Sequence, residues 1–253
     1  MYTHNIDTVL LSNGPLEIRY YGLVYVLGFI IALFVLDYYR KKGELKMTKN
    51  QVWDLVFWMI IGVIAGARLF EVFVWNPVYY FNHPLDIFAV WKGGMSLHGG
   101  IVGILLVGYF YCKKNKLNLA QLADILVIPA ALILGLGRIA NFINGELWGT
   151  VTNVPWCVMF KGADGCRHPV QLYGAIGRIG LFALLMFMMP LKQSKKWKDG
   201  ILFWSFVLLM GIGRFAVDFF REDQRYFYLS TGQYLSLIMA IVALFILLKY
   251  YKK

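Results

Sequence analysis

Charged residues are scarce in this sequence. They make up 15% of its 253 residues, whereas hydrophobic residues make up 59% and the mean hydropathy is +0.60. A soluble domain carries about 25% charged residues, so the composition argues against a soluble globular protein. Several apolar runs approach the roughly 20 residues that a helix needs to cross a bilayer. The sequence therefore predicts an all-α, polytopic membrane protein.

Signatures of several other protein classes are also missing. Residues 1–17 contain no lysine or arginine, and a secretory signal peptide begins with a positive region, so we expect no cleaved signal. The three cysteines show no metal-ligand spacing, and there is neither an aspartate-rich metal motif nor a Gly-x-Ser-x-Gly nucleophile motif. Cys157 and Cys166 lie in one polar connection, which leaves a disulfide in an oxidising compartment open.

Seven apolar runs are present, and we interpret them as spans of a single integral-membrane domain over residues 1–253. They cover Tyr21–Tyr39, Trp53–Trp75, Met95–Cys112, Gln121–Phe142, Leu172–Met189, Gly200–Phe219 and Gln233–Lys249. Pro190 is expected to end the fifth span. Residues 151–169 have turn residues and no long apolar run, which predicts a small arm outside the membrane. Gly99 and Gly103, four residues apart, predict close helix packing in the third span.

The formal net charge of +11 is typical of anchoring beside anionic membrane lipids, and we expect no nucleic-acid partner. Successive connections between the spans lie on alternate sides of the membrane, and the basic residues are unevenly divided between the two sides. Fifteen fall on one side: Arg40, Lys41, Lys42, Lys46, Lys49, Lys113, Lys114, Lys116, Lys192, Lys195, Lys196, Lys198, Lys249, Lys252 and Lys253. Six fall on the other: Arg19, Lys92, Lys161, Arg167, Arg221 and Arg225. The positive-inside rule then predicts an external amino terminus and a cytoplasmic carboxyl terminus.

Ionisable residues lie inside or just beyond these spans. With the predicted orientation, eight of them fall in the outer part of the membrane or just past it: Arg68, Glu71, His98, Arg138, Glu146, Arg178, Arg214 and Asp218. Charges in hydrocarbon are costly and are functional by default, so their common depth predicts one polar cavity. The alternative is that each arginine extends to the lipid headgroups, which becomes less attractive as the number of such residues grows.

The stretch from Gly135 to Gly149 ends an apolar helix with a concentration of polar groups. Arg138 and Asn141 share a helical face, and Gly145 is suited to the left-handed conformation that terminates a helix. A second helix places Arg214, Asp218 and Arg221 along one face. The planar guanidinium donates paired hydrogen bonds to phosphate. The residues alone therefore predict a membrane site for an anionic phospholipid.

These residues also resemble the prolipoprotein diacylglyceryl transferase family. The resemblance rests on Gly137–Gly149, Gly94–Gly100, Tyr21–Tyr25, His168–Tyr173 and the Arg214 segment, in the family's order, and it covers roughly residues 19 to 248. It implies transfer of the diacylglyceryl group of phosphatidylglycerol to the lipobox cysteine of a prolipoprotein signal peptide. A thioether forms and glycerol phosphate leaves, without a cofactor or metal. It also implies a plasma (inner) membrane protein with seven spans.

The resemblance assigns site residues by matched position. Arg138 and Arg214 are expected to bind phosphate, with His98 as the base for the substrate thiol or only a positioning group. Further residues expected to line the substrate site are Tyr21, Asn141, Asn144, Glu146, Asp218 and Arg221. The family usually has glutamate at two positions that here hold Gly174 and Asp218. Loss of the first carboxylate puts one supporting ion pair in doubt.

Two other functions stay open on the sequence. A homologue that binds lipid or prolipoprotein without catalysis is motivated by Gly174. An anionic-solute transporter is less favoured, because transporters place polar groups through the full depth of the membrane or interrupt helices near the midplane.

Overall fold

A computed structural model describes residues 2–13 and 16–251 of the chain, and in this part it is mainly helical. The α-helices are α1 (Tyr20–Lys41), α2 (Lys49–Phe70), α3 (Pro77–Asn82), α4 (Leu97–Asn115), α5 (Leu119–Ile143), α6 (Val170–Ser194), α7 (Ile201–Val217) and α8 (Thr231–Tyr250). The short strands are β1 (Tyr2–Thr3), β2 (Val9–Asn13), β3 (Leu16–Arg19), β4 (Val158–Met159), β5 (Arg225–Tyr226) and β6 (Leu229–Ser230). The basic residues Lys252 and Lys253 lie outside the described residues.

Among the described residues, six helices are long and apolar enough to cross a membrane. They are α1, α2 with its continuation to Trp75, α5, α6, α7 with its continuation to Phe220, and α8. The chain is thus a multi-pass, mainly helical membrane protein, as its composition predicts. Helix α4 matches the remaining predicted span in position, but His98, several glycines and two terminal lysines dilute its apolar character. The count of seven spans stays a prediction.

The contacts divide the chain into two compact units. One unit comprises Met1–Ile31 and Ala123–Lys253, and the other comprises Ala32–Leu122. Within the first unit α6 packs against α7, and α7 packs against α8. Within the second unit α2 packs against α4. The expectation of a single domain over residues 1–253 stays a prediction.

Glycines bring α2 and α4 into close contact in the second unit. The backbone carbonyls of Gly62 and Gly66 occupy the places where side chains at Gly103 and Gly99 would stand. No larger residue fits at these positions without moving the helices apart. The glycine pair of the third predicted span is therefore a packing device, as the sequence predicts.

The arm beyond α5 is held by short backbone pairings in the first unit. Strand β1 pairs in parallel with β4, and isolated bridges join Gly149 to Arg221 and Val151 to Arg167. Cys157 and Cys166 form a disulfide, with their Cα atoms 5.5 Å apart. Residues 151–169, which lack a long apolar run, thus fold into turns and short bridges and not into a helix.

Helix α6 does not end at Pro190, so that expectation is wrong. It continues to Ser194 with the proline inside it, although proline removes one helical hydrogen bond. The continuation brings Lys192 Nζ to 2.8 Å from Asp124 Oδ2 and 2.7 Å from Asp199 Oδ1. The buried Asp124 carboxylate also accepts backbone N–H groups of Gly200 and Phe203 at the start of α7. The helix extension thus completes an ion-pair network between α5, α6 and α7.

The carboxyl end of α5 is capped as the sequence predicts, with one addition. The helix ends at Ile143, and Gly145 follows with φ of 64° in the left-handed region. The buried His4 places Nε2 2.7 Å from the carbonyl oxygen of Phe142, which also accepts the backbone N–H of Gly145 at 2.9 Å. The segment around β1 therefore supports the turn that carries Asn144 and Glu146.

Candidate active site

Three helices of the first unit direct arginines toward one small pocket, which we call the arginine pocket. Its charged lining residues are Arg138 from α5, Arg178 from α6, Arg214 from α7, and Asp218 and Arg221 just beyond α7; Val170, Gly174 and Val217 complete the lining. The side chains leave open space for about one water molecule at most. A ligand would therefore displace arginine side chains as it enters.

Asp218 is the acidic member of this lining and is 3% exposed. Its Oδ2 lies 3.6 Å from Nε of Arg214, and its Oδ1 lies 4.0 Å from Nε of Arg221. Both distances exceed a good hydrogen bond, and the buried atoms Asp218 Oδ2 and Arg214 Nε form none within the described chain. Buried polar groups are normally hydrogen-bonded, so these two atoms, which approach each other only at ion-pair distance, keep hydrogen-bonding capacity for a polar ligand.

Positive charge exceeds negative charge in the arginine pocket. Four guanidinium groups face one carboxylate, and among the described residues only Arg221 has a second acidic neighbour, Asp223, at 3.0 Å. Within the described residues, Arg138 forms no hydrogen bond or ion pair. Arginines without a matching number of carboxylates favour binding of an anion, because water screens the attraction between opposite charges only weakly among apolar helices.

A polar cluster lies beyond the end of α5 in the same unit. Asn141 Nδ2 and Asn144 Nδ2 donate to Glu146 Oε1 at 2.8 and 3.2 Å. Gln171 Nε2 donates to the Glu146 backbone carbonyl at 2.7 Å. The oxygens Asn144 Oδ1 and Gln171 Oε1 are buried and accept no hydrogen bond within the described chain. The cluster thus contains two buried acceptor oxygens whose hydrogen-bonding capacity is unused within the described chain.

Tyr21 belongs to the first turn of α1 in this unit. Its hydroxyl accepts a hydrogen bond from Tyr25 at 3.4 Å, and it lies close enough to Arg138 for an electrostatic interaction. The structure therefore brings together Tyr21, the arginine pocket and, through Arg138 and Asn141 on one face of α5, the polar cluster.

His98 belongs to the other unit, in the first turn of α4. Its ring is exposed, and its centroid lies 6.3 Å from that of Phe70 and 6.4 Å from that of Trp75. Within its own unit the imidazole has aromatic neighbours on α2 and its π-helical continuation. The role of His98 as a base or a positioning group stays a prediction.

Arg68 has a structural role that the sequence did not indicate. It is 5% exposed, and its guanidinium donates to backbone carbonyls of the loop before α4. The acceptors are the carbonyls of Asp86, Ile87, Ala89, Gly93 and Gly94. All of its donors are thereby engaged in shaping this loop. Arg68, which its depth in the sequence groups with the residues of the predicted polar cavity, thus holds this loop in place.

Sequence reasoning also missed His168 as a packing residue at the edge of the site. Its Nδ1 lies 3.0 Å from the Tyr173 hydroxyl, and its ring contacts those of Tyr173 and Phe220 edge-on. Burial among these rings lowers the pKa of His168 from its ordinary value of 6.5. The side chain therefore favours the neutral state in the folded protein.

Comparison with known proteins places the chain in a family. A sequence model described as prolipoprotein diacylglyceryl transferase matches residues 8–249. The chain belongs to the prolipoprotein diacylglyceryl transferase family.

Three curated relatives share the name phosphatidylglycerol–prolipoprotein diacylglyceryl transferase. The protein from Geobacter sulfurreducens is 42% identical over 95% of this chain and 94% of its own length. The Bartonella tribocorum protein is 36% identical over 98% and 91%, and the Vibrio atlanticus protein is 37% identical over 98% and 92%. The family resemblance seen in the motifs therefore extends over nearly the full chain.

Proposed function

We propose that this protein transfers the diacylglyceryl group of phosphatidylglycerol to the lipobox cysteine of prolipoprotein signal peptides. The observation that carries the proposal is the arginine pocket, in which four guanidinium groups surround one buried carboxylate among membrane helices. A membrane supplies phospholipid headgroups as anionic ligands at such a site. Membership of the family, and the name that its relatives carry, support the same reaction.

Arg138 and Arg214 bind the phosphate in this proposal. They come from different helices, so together they would hold the phosphate from two directions. Arg138 has no competing partner among the described residues, and Arg214 Nε is buried without a hydrogen bond. The Asp218 carboxylate lies between Arg214 and Arg221 at ion-pair distance from both. Its attraction to the two guanidinium groups would hold Arg214 in position.

The reaction needs a thiolate and a stable leaving group. The cysteine sulfur loses its proton and attacks the terminal glyceryl carbon, a carbon–sulfur bond forms, and the carbon–oxygen bond to phosphate breaks. Glycerol phosphate leaves with the electron pair. A free thiol has a pKa of about 8.5, so a base such as His98 would assist its ionisation. The arginines would stabilise the charge that develops on the departing phosphate.

The remaining site residues orient the lipid headgroup. Asn144 Oδ1 and Gln171 Oε1 offer unpaired acceptors that suit the hydroxyl groups of a glycerol headgroup. Asn141 and Glu146 hold this cluster in place through their hydrogen bond. Tyr21 lies beside Arg138 and would border the same headgroup.

We place the protein in the plasma (inner) membrane with the amino terminus outside. The uneven distribution of lysine and arginine supports this orientation. The Cys157–Cys166 disulfide supports it independently, because disulfides persist in an oxidising compartment and the arm is predicted on the outer side.

The test combines purified protein with phosphatidylglycerol and a lipobox peptide and detects the thioether product by mass. Arg138→Ala and Arg214→Ala should each abolish transfer, and lysine should restore little because it lacks the planar fork. Arg225→Ala is the matched control, since this exposed arginine lies outside the lining and donates to the Phe219 carbonyl. Product from the Arg138→Ala protein at the wild-type rate would contradict the proposal. Lipid retention without product from the wild-type protein would favour the binding-only alternative.

His98→Ala separates catalysis from binding. The change should slow transfer while leaving phosphatidylglycerol binding intact, because a base acts on the thiol and not on the lipid phosphate. Turnover and lipid retention of the same preparation would be measured together. Unchanged turnover would remove the role assigned to His98.

A further inference from the structure

Arg178 lines the arginine pocket without an assigned role. It lies on α6, one helical turn after Gly174, so the two residues share a face that borders the pocket. Its side chain is only partly exposed. The other arginines of the pocket come from α5 and from α7 and its extension, and Arg178 is the contribution of α6.

Gly174 provides the space that the Arg178 side chain uses. A Cβ atom at position 174 would lie 2.7 Å from Arg178 Nη1 and 3.5 Å from Cγ and Cδ of Arg138. The guanidinium of Arg178 therefore stands where any side chain at 174 would begin. A carboxylate at position 174 would compete for that place and neutralise the neighbouring charges.

Most of the hydrogen-bonding capacity of Arg178 is unused. Its one hydrogen bond within the described chain runs from Nη1 to the Gly174 carbonyl at 2.8 Å. A guanidinium has five N–H donors, and no carboxylate forms an ion pair with this one among the described residues. Asp218, the acidic group of the lining, lies within ion-pair distance of Arg214 and Arg221 instead. A partly buried cation with free donors, in a pocket shared with three other arginines, is suited to bind an anion together with them.

We propose that Arg178 is a third phosphate-binding arginine, made available by Gly174, and that it contacts the phosphate ester held by Arg138 and Arg214. The inference rests on the proposed function and adds to it one further phosphate-binding residue. The ligand chemistry is a glycerol phosphate ester, either in the phosphatidylglycerol headgroup or in the glycerol phosphate that leaves.

The experiment compares wild-type protein with Arg178→Ala in two arms. The first measures KM and kcat for phosphatidylglycerol in mixed micelles with a zwitterionic lipid, at saturating lipobox peptide. The second measures inhibition by soluble glycerol phosphate, with inorganic phosphate alongside. Loss of one charge-assisted contact should weaken binding by about ten- to a hundredfold in at least one arm. A change in KM alone assigns Arg178 to the lipid headgroup, and a change in inhibition alone assigns it to the leaving phosphate.

Two further variants separate charge from position. Arg178→Lys keeps the charge without the fork and should give an intermediate loss. Gly174→Ala keeps the arginine but displaces its guanidinium, whose end is flexible enough to move, and should give a smaller loss of the same kind. Arg225→Ala, outside the lining, should leave both arms unchanged.

The outcomes distinguish this inference from the proposed function. Wild-type protein that forms no thioether product would overturn the transferase assignment itself. Active wild-type protein with unchanged KM and unchanged inhibition in Arg178→Ala would overturn only the role of Arg178. A fall in kcat with both binding measures unchanged would also overturn it, because a merely structural defect moves turnover without moving phosphate affinity. Retained wild-type behaviour in Gly174→Ala alongside a strong Arg178→Ala effect would place the contact elsewhere on the guanidinium and overturn the role of Gly174.

Discussion

At the scale of single residues, Gly232 tests how closely the site is packed. A Cβ atom there would lie 2.6 Å from Asp218 Oδ2 and 3.1 Å from Arg214 Nη2. Gly232→Ala should therefore shift the carboxylate and the arginine that we assign to phosphate binding. Displacements of this kind cost about 1–3 kcal/mol, so we expect kcat/KM to fall about tenfold or more.

The matched control for Gly232→Ala is Gly213→Ala. Gly213 directly precedes Arg214 in α7, but a Cβ there meets no atom within 4 Å. This variant should retain wild-type kcat/KM in the same assay. Equal losses in both variants would show that glycine replacement near Arg214 acts through the helix backbone and not through Asp218.

His168 predicts a pH dependence of stability. Its pKa is lowered in the folded protein by burial, whereas the unfolded chain has the ordinary value near 6.5. The unfolded state therefore binds the proton more tightly, and stability that is present above pH 6.5 is lost as the pH falls through the folded pKa. The unfolding midpoint should drop between pH 7.5 and pH 5 more in wild-type protein than in His168→Asn, in one detergent. Parallel curves would contradict the assignment.

At the scale of elements, the buried network of Asp124, Lys192 and Asp199 joins α5, α6 and the start of α7. Asp124→Ala removes the lysine partner and the acceptor for two backbone N–H groups of α7. Breaking a buried ion pair on one side costs about 3–5 kcal/mol, so the thermal midpoint should fall strongly.

A double variant isolates the pairing in this network. Asp124→Ala with Lys192→Met removes both charges, so its loss of stability should be smaller than the sum of the two single losses. Unfolding curves of the four proteins in one detergent measure the difference. Strictly additive losses would mean that Lys192 gains nothing from Asp124.

The α2–α4 contact predicts opposite results at neighbouring glycines. A methyl group at Gly99 would overlap the Gly66 carbonyl, whereas one at Gly100 would lie 3.5 Å from Val63 Cγ1, an ordinary contact. Gly99→Ala should lower the thermal midpoint by several degrees, and Gly100→Ala should leave it nearly unchanged. Similar midpoints for both variants would show that the helices separate at little cost.

At the scale of the whole molecule, the sequence predicts the helices well because hydropathy and helix ends are local properties. The turn at Gly145 follows from one residue, and the membrane helices follow from the length of their apolar runs. Contacts between segments far apart in the sequence leave no such local signal. The hydrogen bonds from Arg68 to the backbone carbonyls of the loop before α4, and the ion pairs of Lys192 beyond Pro190, therefore could not be predicted from a sequence pattern. The space that Gly174 leaves for the Arg178 guanidinium likewise becomes visible only in the structure.

The orientation of the molecule gives the last prediction. The arm with Cys157 and Cys166 should face the outside, because the connections richer in lysine and arginine should stay in the cytoplasm. In intact spheroplasts, a maleimide-polyethylene glycol that cannot cross membranes should add two labels after treatment with an impermeant reductant, and none before it. Cys112 is 2% exposed and should not react.

Two variants make the labelling result decisive. Cys157→Ser leaves Cys166 without its partner, so it should label once without any reductant. The double variant Cys157→Ser with Cys166→Ser should not label at all, which assigns the signal to the arm. Labelling of wild-type protein only after lysis would place the arm in the cytoplasm and reverse the proposed orientation. A single label on Cys157→Ser in intact spheroplasts, together with labelling of unreduced wild-type protein, would keep the orientation but show that the two thiols stay unpaired in the cell.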